Sequence, residues 1–177
     1  VPVASWPWEN GRSYTVRVRA QDKATNLKLQ VSSNTFTYDT DLPGSGLYYP
    51  YGDVNTPPTL QGTCWDITPG EVPEIKVRIC RKGIDYWHDG THPTTPNQWG
   101  DEYWCTGTLV GTPWTEGGKW ISSWTWENNS IWENLKDYQI NTRAKDNAGN
   151  YEQWTSTLTF IYEYDAPTSG VTAPSKS

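Results

Sequence analysis

The chain has 177 residues and an aromatic, turn-rich composition, with 12 Trp, 11 Tyr, 15 Gly and 13 Pro against 2 Phe and no Met. Its formal net charge of -6 comes from 20 acidic and 14 basic residues. No basic patch is available, which excludes nucleic acid and anionic membrane surfaces as partners. No apolar run approaches the roughly 20 residues that span a bilayer, so we expect no membrane insertion in this segment.

Short strands and turns dominate the predicted secondary structure. Thr, Gly, Pro and aromatic residues favour them, and no window has the apolar spacing of an amphipathic helix. Tyr14, Val16 and Val18 alternate with polar residues, as in a strand with one buried face. Further strands are predicted at residues 47–51, 59–65, 74–80, 103–109, 119–126, 137–144 and 157–162. Seven such strands suit a β-sandwich, so we predict an all-β fold.

The sequence also repeats itself over a long period. The segment SWPWEN at residues 5–10 returns as SWTWEN at residues 123–128, an offset of 118 residues. With a six-residue insertion the offset becomes 124, and 14 of the 33 positions from Tyr14 to Gly46 are identical to their counterparts in residues 138–170. A repeat of this length indicates stacked modules.

Pro-containing junctions follow both copies of the repeat, DTDLPGSG at residues 39–46 and EYDAPTSG at residues 163–170. Proline cannot donate to a sheet ladder, so each junction marks the end of a strand. We therefore predict three parts. Residues 1–43 are the C-terminal strands of an upstream module, residues 44–165 are a complete module, and residues 166–177 are a linker and the first strand of a next module.

The strands of residues 1–43 lack a facing sheet. A few strands alone expose one apolar side and two edges, so this part should not be stable by itself. The missing strands come either from upstream in a longer polypeptide or from a neighbouring chain by strand addition.

Several segments resemble a known family. YTVRVRAQDKATN, followed by TFTYD and a Pro linker, is similar to the last two strands of the bacterial Ig-like repeats of large extracellular proteins. QGTCWD at residues 61–66 resembles the G-T-A-x-D of their second strand, with Cys64 in place of Ala. The Trp-rich middle of the chain resembles one subgroup. The resemblance implies an immunoglobulin-like β-sandwich in a tandem array, an extracellular or cell-surface location, and adjacent modules of the same or neighbouring chains as partners.

The three cysteines are assigned from strand alternation. Cys64 shares a face with Leu60 and Gly62, which predicts a buried free thiol. Cys80 lies on the face opposite to the apolar residues of its strand, and Cys105 lies in the next predicted strand. We therefore expect a disulfide between Cys80 and Cys105 in an oxidising compartment.

Acidic residues gather near the module junctions. The segments at residues 22–26 and 146–150 match the turn chemistry of Asp and Asn, which can bond the local backbone. The alternative to a purely structural role is a calcium site, because calcium binds several carboxylate or carbonyl oxygens. The candidate calcium ligands are Asp39, Asp41, Asp53, Glu163 and Asp165. No other cofactor is expected.

The tryptophans outnumber what one sandwich core can bury. Trp99, Trp104 and Trp114 lie in Gly- and Pro-rich segments predicted as loops, and three tyrosines lie at the linker. These tyrosines are Tyr48, Tyr49 and Tyr51. Two interpretations remain open: packing on the sandwich, or a surface that contacts sugar rings or a neighbouring subunit. The sequon that begins at Asn128 would also permit a glycan.

No catalytic unit is evident. His88 and His92 are the only histidines, and Gly90 and Pro93 place them in a loop without further metal ligands. We therefore expect no enzyme. The predicted function is that of a structural or adhesive extracellular repeat protein that forms a stalk, filament or surface layer. The alternative is a carbohydrate-binding accessory module that uses exposed Trp residues, with polysaccharide as its partner.

Overall fold

The structure is a computed structural model, and it describes residues 7–27, 30–88, 98–100, 102–153 and 156–170. All regular elements within these ranges are β-strands in antiparallel sheets, which confirms the all-β class, and their arrangement is sandwich-like. The described residues include no helix long and apolar enough to cross a membrane. Residues 171–177, most of the expected start of a next module, lie outside the described part.

Twelve strands follow one another along the chain. They are β1 (Arg12–Val18), β2 (Ser32–Tyr38), β3 (Gly44–Tyr49), β4 (Leu60–Ile67), β5 (Glu74–Arg81), β6 (Asp85–His88), β7 (Gln98–Gly100), β8 (Cys105–Thr106), β9 (Thr108–Glu116), β10 (Lys119–Trp126), β11 (Lys136–Lys145) and β12 (Ser156–Tyr162). All seven predicted strands have counterparts from β3 onward. The structure adds β6 and β7, and it splits residues 103–109 between β8 and the start of β9.

Strands β3 to β12 form two sheets, which we call the sandwich. One sheet has the order β3-β4-β10-β9, and the other has the order β12-β11-β5-β6-β7, with β8 also paired to β5. The core lies among side chains that alternate inward from both sheets, as the period of two requires. The first sheet contributes Leu60, Cys64, Trp124 and Trp126, and the second contributes Ile75, Val77, Ile79, Tyr138, Ile140 and Phe160.

A short parallel contact ties an early segment of the sandwich to its last strand. Val54 forms an isolated parallel bridge with Tyr162. The Val54 N–H donates to the Ile161 carbonyl at 2.9 Å, and the Glu163 N–H donates to the Val54 carbonyl at 2.9 Å. Asp53 Oδ1 accepts a third bond, from the Ile161 N–H at 2.8 Å.

Strands β1 and β2 form a separate two-stranded sheet, the first hairpin (residues 12–38). Its register matches that of β11 with β12, the closing hairpin (residues 136–162). Tyr14 lies opposite Phe36 in the first hairpin, and Tyr138 lies opposite Phe160 in the closing hairpin. Every other pair of the first hairpin also has its counterpart 124 residues later.

Side-chain bonds correspond in the same way. The Glu9 N–H donates to the Tyr14 hydroxyl at 2.8 Å, and the Glu133 N–H donates to the Tyr138 hydroxyl at 2.7 Å. Trp8 packs on Tyr14 with ring centroids 4.5 Å apart, as Trp132 packs on Tyr138 at 4.9 Å. The counterpart of Trp8 is therefore Trp132 at the constant offset of 124. The sequence alignment had paired Trp8 with Trp126 by matching SWPWEN to SWTWEN and assuming a six-residue insertion. That pairing was wrong for Trp8.

The expected disulfide between Cys80 and Cys105 is not formed. Cys80 is a free thiol, and Cys105 lies opposite Val77 on the core face of β5. Cys80 is three residues farther along β5 and belongs to its other face. The separation along the strand is about 10 Å, beyond the reach of a disulfide. The assignment of Cys64 is confirmed, since this free thiol is fully buried and burial raises its pKa to about 12.

Candidate cation site between the first hairpin and the sandwich

Three carboxylates converge where the first hairpin meets the sandwich, and we call them the aspartate cluster. Asp39 directly follows β2, Asp66 lies near the end of β4, and Asp146 directly follows β11. One carboxylate oxygen of each lies within 4.8 Å of the others. Asp66 and Asp146 are buried. Alternation in β4 places Asp66 on the core-facing side with Cys64, so its burial is set by the strand itself.

Two oxygens of the aspartate cluster accept no hydrogen bond from the residues that the structure describes. Asp66 Oδ1 accepts the Ile67 N–H at 2.8 Å and Asp39 Oδ1 accepts the Asp41 N–H at 3.0 Å. The other oxygen of each, Asp66 Oδ2 and Asp39 Oδ2, is buried without a hydrogen-bond donor. A buried charge without a partner is costly, so these oxygens need a proton, a cation or a bound water to satisfy them.

The electrostatics of the aspartate cluster favour protonation when no cation is bound. Burial raises the pKa of Asp66 from 3.8 to about 7, and repulsion from Asp39, Asp146 and Asp41 adds to the rise. Burial also raises the pKa of Asp39, assisted by Asp146 and opposed by the hydrogen bond from the Asp41 N–H. A bound divalent cation would reverse this effect, because it stabilises the ionised carboxylates.

Gly70 forms one wall of the site. A Cβ at this position would lie 2.3 Å from Asp66 Oδ2 and 2.8 Å from Asp39 Oδ2. Any other residue would therefore fill the space between the two oxygens that lack donors. The turn that carries Gly70 is held by its N–H, which donates to the Ile67 carbonyl at 2.7 Å.

Asn150 connects the two parts of the chain at the same place. Its Nδ2 donates to Asp146 Oδ2 at 2.7 Å and to the Asp39 carbonyl at 3.2 Å. The Asn150 N–H donates to Asp146 Oδ1 at 2.7 Å, so the turn fixes both carboxylate oxygens. The turn interpretation of residues 146–150 is thus correct, and the same turn also presents Asp146 to the aspartate cluster.

The donor set fits a hard divalent cation. Three carboxylates supply oxygen ligands and negative charge, as calcium and magnesium sites require, and the oxygens without donors lie on the shared side. Asp39, Asp66 and Asp146 would hold the ion, which would neutralise their repulsion. The donors come from both the first hairpin and the sandwich, so such an ion would link them.

Of the five acidic residues singled out in the sequence, the structure brings only Asp39 into this cluster. The Asp41 carboxylate accepts Asn10 Nδ2 at 2.8 Å, and Asp165 accepts Asn134 Nδ2 at 2.6 Å in the corresponding place. Asp53 bonds the backbone of β12. Glu163 lies near Asp53, along a groove that both residues line. Sequence reasoning missed Asp66 and Asp146, although the face shared with Cys64 was a usable signal for Asp66.

The aromatic residues singled out in the sequence do not form one platform. Tyr48 and Tyr49 lie on β3, and Trp114 lies on β9, at the opposite edge of the same sheet. The prediction of a loop at Trp114 was therefore wrong. Tyr51, just after β3, is exposed.

Trp104 packs against a cation on the other sheet. Its ring lies 4.9 Å from Arg78 Cζ, and the Tyr86 ring lies 5.5 Å from the same atom. Trp99 belongs to β7, so the loop predicted there was also wrong. Its side chain lies outside the described part of the structure, as do His92 and the side chain of His88. Asn128 Oδ1 accepts the Ser130 N–H at 3.1 Å, so the sequon forms a local turn.

Neither protein-family models nor curated proteins give a match to this chain.

Proposed function

We propose that the chain is a structural segment of an extracellular or cell-surface array of immunoglobulin-like modules, which forms a stalk, filament or surface layer. One observation carries the proposal: the first hairpin corresponds, pair by pair, to the closing hairpin of the sandwich. A tandem array of one module requires the closing hairpin of each module to precede the sandwich of the next, as the first hairpin precedes the sandwich here. The first hairpin would belong to one module and the sandwich to the next.

The contacts between these two parts support a defined junction. Asn150 of the sandwich bonds the backbone of Asp39, directly after the first hairpin. The aspartate cluster takes one carboxylate from the first part and two from the second. A hard divalent cation such as calcium in this cluster would hold neighbouring modules in a fixed relation. A fixed junction suits a protein whose role is to extend.

Localisation gives the most direct test. Antibodies raised against the purified chain should label intact cells of the source organism, and immuno-electron microscopy should place the label on extended or layered surface material. The same cells after permeabilisation serve as the control for total label. Labelling that appears only after permeabilisation would overturn the proposal.

Binding of a polysaccharide is the second candidate, favoured by a row of apolar side chains on the outer face of the four-stranded sheet. Ile121 lies opposite Trp65 on one side and opposite Trp114 on the other. Trp114 is exposed, and the indole rings on either side of Ile121 could stack on sugar rings. The paired change of Trp65 and Trp114 to Ala should then reduce retention on insoluble polysaccharides. Tyr51→Ala, an exposed aromatic outside the row, is the matched control. Equal retention of all three proteins would remove this candidate.

A further inference from the structure

The first hairpin has an apolar face that the rest of the described chain does not cover. Val16 is 48% exposed and Phe36 is 37% exposed. Their counterparts in the closing hairpin, Ile140 and Phe160, are 0% and 3% exposed. Val18 is exposed as well, whereas its counterpart Thr142 is buried. The same surface is therefore solvent-facing in one copy and part of the core in the other.

The closing hairpin reveals what covers such a face. Ile140 and Phe160 belong to the core cluster that includes Leu60, Trp124 and Trp126 from the opposite sheet. Burial of this apolar surface is the main source of stability that the hairpin gains from the sandwich.

The second difference between the copies concerns the edge of the hairpin's first strand, which is paired in the closing hairpin and free in the first hairpin within the described residues. Strand β11 pairs along β5 over eight positions, with Ile140 opposite Ile79 and Thr142 opposite Val77. Within the described residues, β1 pairs with β2 alone. The edge of β1 therefore presents backbone donors and acceptors that could pair with another strand.

We infer that the face and the free edge of the first hairpin together form a docking surface for a strand set of the kind seen in residues 44–135, lying N-terminal to the hairpin in the same polypeptide. This inference rests on the proposed array. The strand equivalent to β5 pairs antiparallel with β1, with the equivalent of Ile79 opposite Val16. The sheet equivalent to β4 and β10 packs over Val16, Val18 and Phe36.

An intact second copy of this chain does not fit the same surface. In the complete sandwich one edge of β5 is paired with β11, and the other edge is paired with β6 and β8. No edge of β5 is left for β1. The occupant must therefore be a strand set without a closing hairpin of its own.

The docking surface is already arranged for this partner. The Tyr14 ring is fixed by the bond from the Glu9 N–H and by the Phe36 ring, whose centroid lies 5.8 Å away. The same bond and a 5.5 Å ring contact hold Tyr138 and Phe160 in the closing hairpin. Docking would thus need little rearrangement of the hairpin, which lowers its entropic cost.

A hairpin exchange within the full chain tests the inference. Residues 12–38 and 136–162 have equal lengths, so the first sequence can replace the second without a gap. If the first hairpin fits this strand set, the exchanged chain should keep a cooperative urea transition monitored by Trp fluorescence. The matched control carries Ser in place of Tyr14 and Phe36 within the transplanted hairpin, and it should lose that transition. A control that unfolds as cooperatively as the exchanged chain would overturn the inference.

A second variant decides the outcome if the exchanged chain does not fold. A copy of residues 44–130 is placed directly ahead of Pro7, so that Pro7 takes the position of Ile131. Hydrogen exchange of the β1 amides should then slow by about tenfold or more relative to the original chain. Exchange as fast as in the original chain would overturn the inference. Surface labelling is read separately, so failure here is distinct from failure of the proposed function.

Discussion

The first hairpin and the closing hairpin share their strand register and turn bonds but differ in burial. Asp22 Oδ1 accepts the Asn26 N–H at 2.8 Å in one copy, and Asp146 Oδ1 accepts the Asn150 N–H at 2.7 Å in the other. The copies match because these bonds are encoded within the hairpin sequence itself. Burial depends on a facing sheet that other parts of the chain must supply. The same substitution should therefore have unequal effects in the two copies.

The largest difference is expected for the paired phenylalanines. Phe160→Ala should lower the free energy of unfolding by about 3–5 kcal/mol, because it leaves a cavity in the core. Phe36→Ala should change it by less than about 1 kcal/mol, because the ring is partly exposed. Urea unfolding of the full chain, followed by Trp fluorescence, measures both values. Equal losses would contradict the difference in burial.

Asp66 should make the stability of the cation-free protein dependent on pH. Its pKa is about 7 in the folded protein and near 3.8 when unfolded, so the unfolded chain releases this proton first. The contribution to stability is full below about pH 4 and declines as the pH rises to about 7, by at most about 4 kcal/mol. The measurement is urea unfolding in chelator across this range.

Asp66→Asn removes that ionisation, so its stability relative to the wild-type chain should grow as the pH rises. Asp165→Asn makes the same chemical change away from the aspartate cluster and should follow the wild type. A constant difference between Asp66→Asn and wild type from pH 4 to 7 would contradict the assigned electrostatics.

The aspartates of the two turns separate cation binding from turn formation. Calcium at 100 times its dissociation constant should stabilise the chain by about 2.7 kcal/mol. Asp146→Asn should abolish the accompanying rise in Tm, because it removes a ligand. Asp22→Asn alters the same turn in the first hairpin and should keep the full rise. Calorimetry with and without calcium measures both, and a rise that survives in Asp146→Asn would exclude this site.

Gly70→Ala offers a steric test of the same site. The added methyl group would lie between Asp66 Oδ2 and Asp39 Oδ2, so calcium affinity should fall by about tenfold or more, roughly 1.4 kcal/mol. The control is Gly170→Ala, because a Cβ at Gly170 has open space around it. Gly52 is unsuitable, because its φ of 61° would strain an alanine. Isothermal titration that gives equal affinities for the two variants would place the ion elsewhere.

The last comparison concerns the two tyrosine hydroxyls. Tyr138→Phe removes a buried hydroxyl that accepts the Glu133 N–H and donates to the Ile131 carbonyl, so it should cost about 1–3 kcal/mol. Tyr14→Phe removes the same bond where water can replace it, so its cost should be below about 0.5 kcal/mol. Urea unfolding again compares the two. A larger cost at Tyr14 would mean that the first hairpin is already covered in the protein.

The strands that alternation defines well could be predicted from the sequence. β4, β5 and β11 each have one apolar face, and their predicted positions agree with the structure. β6 and β7 were missed because they are only four and three residues long and too short for a periodic signal. Pro113 suggested a loop around Trp114. β9 is an edge strand, and Pro113 lies at the register shift between its Trp114 and Val110 pairs, where no ladder N–H is needed.

The candidate site was harder to predict because its three carboxylates come from distant segments. Strand alternation correctly predicted that Cys80 lies on the face of β5 opposite to Ile75, Val77 and Ile79. Only the register of β8 shows that Cys105 lies opposite Val77. In the same way, no local pattern places Asp66 beside Asp39. Grouping acidic residues by their distance along the sequence selected Asp41 and Asp165, which instead bond Asn10 and Asn134, just ahead of β1 and β11.

The parallel bridge between Val54 and Tyr162 has a mechanical consequence for a protein under tension. The two segments run in the same direction, so a pull toward the N-terminus on one and toward the C-terminus on the other slides them past each other. Their three hydrogen bonds, two between backbones and one from Ile161 to Asp53, then carry the load together rather than opening in sequence. Such shear loading resists extension more strongly than the unzipping of a hairpin.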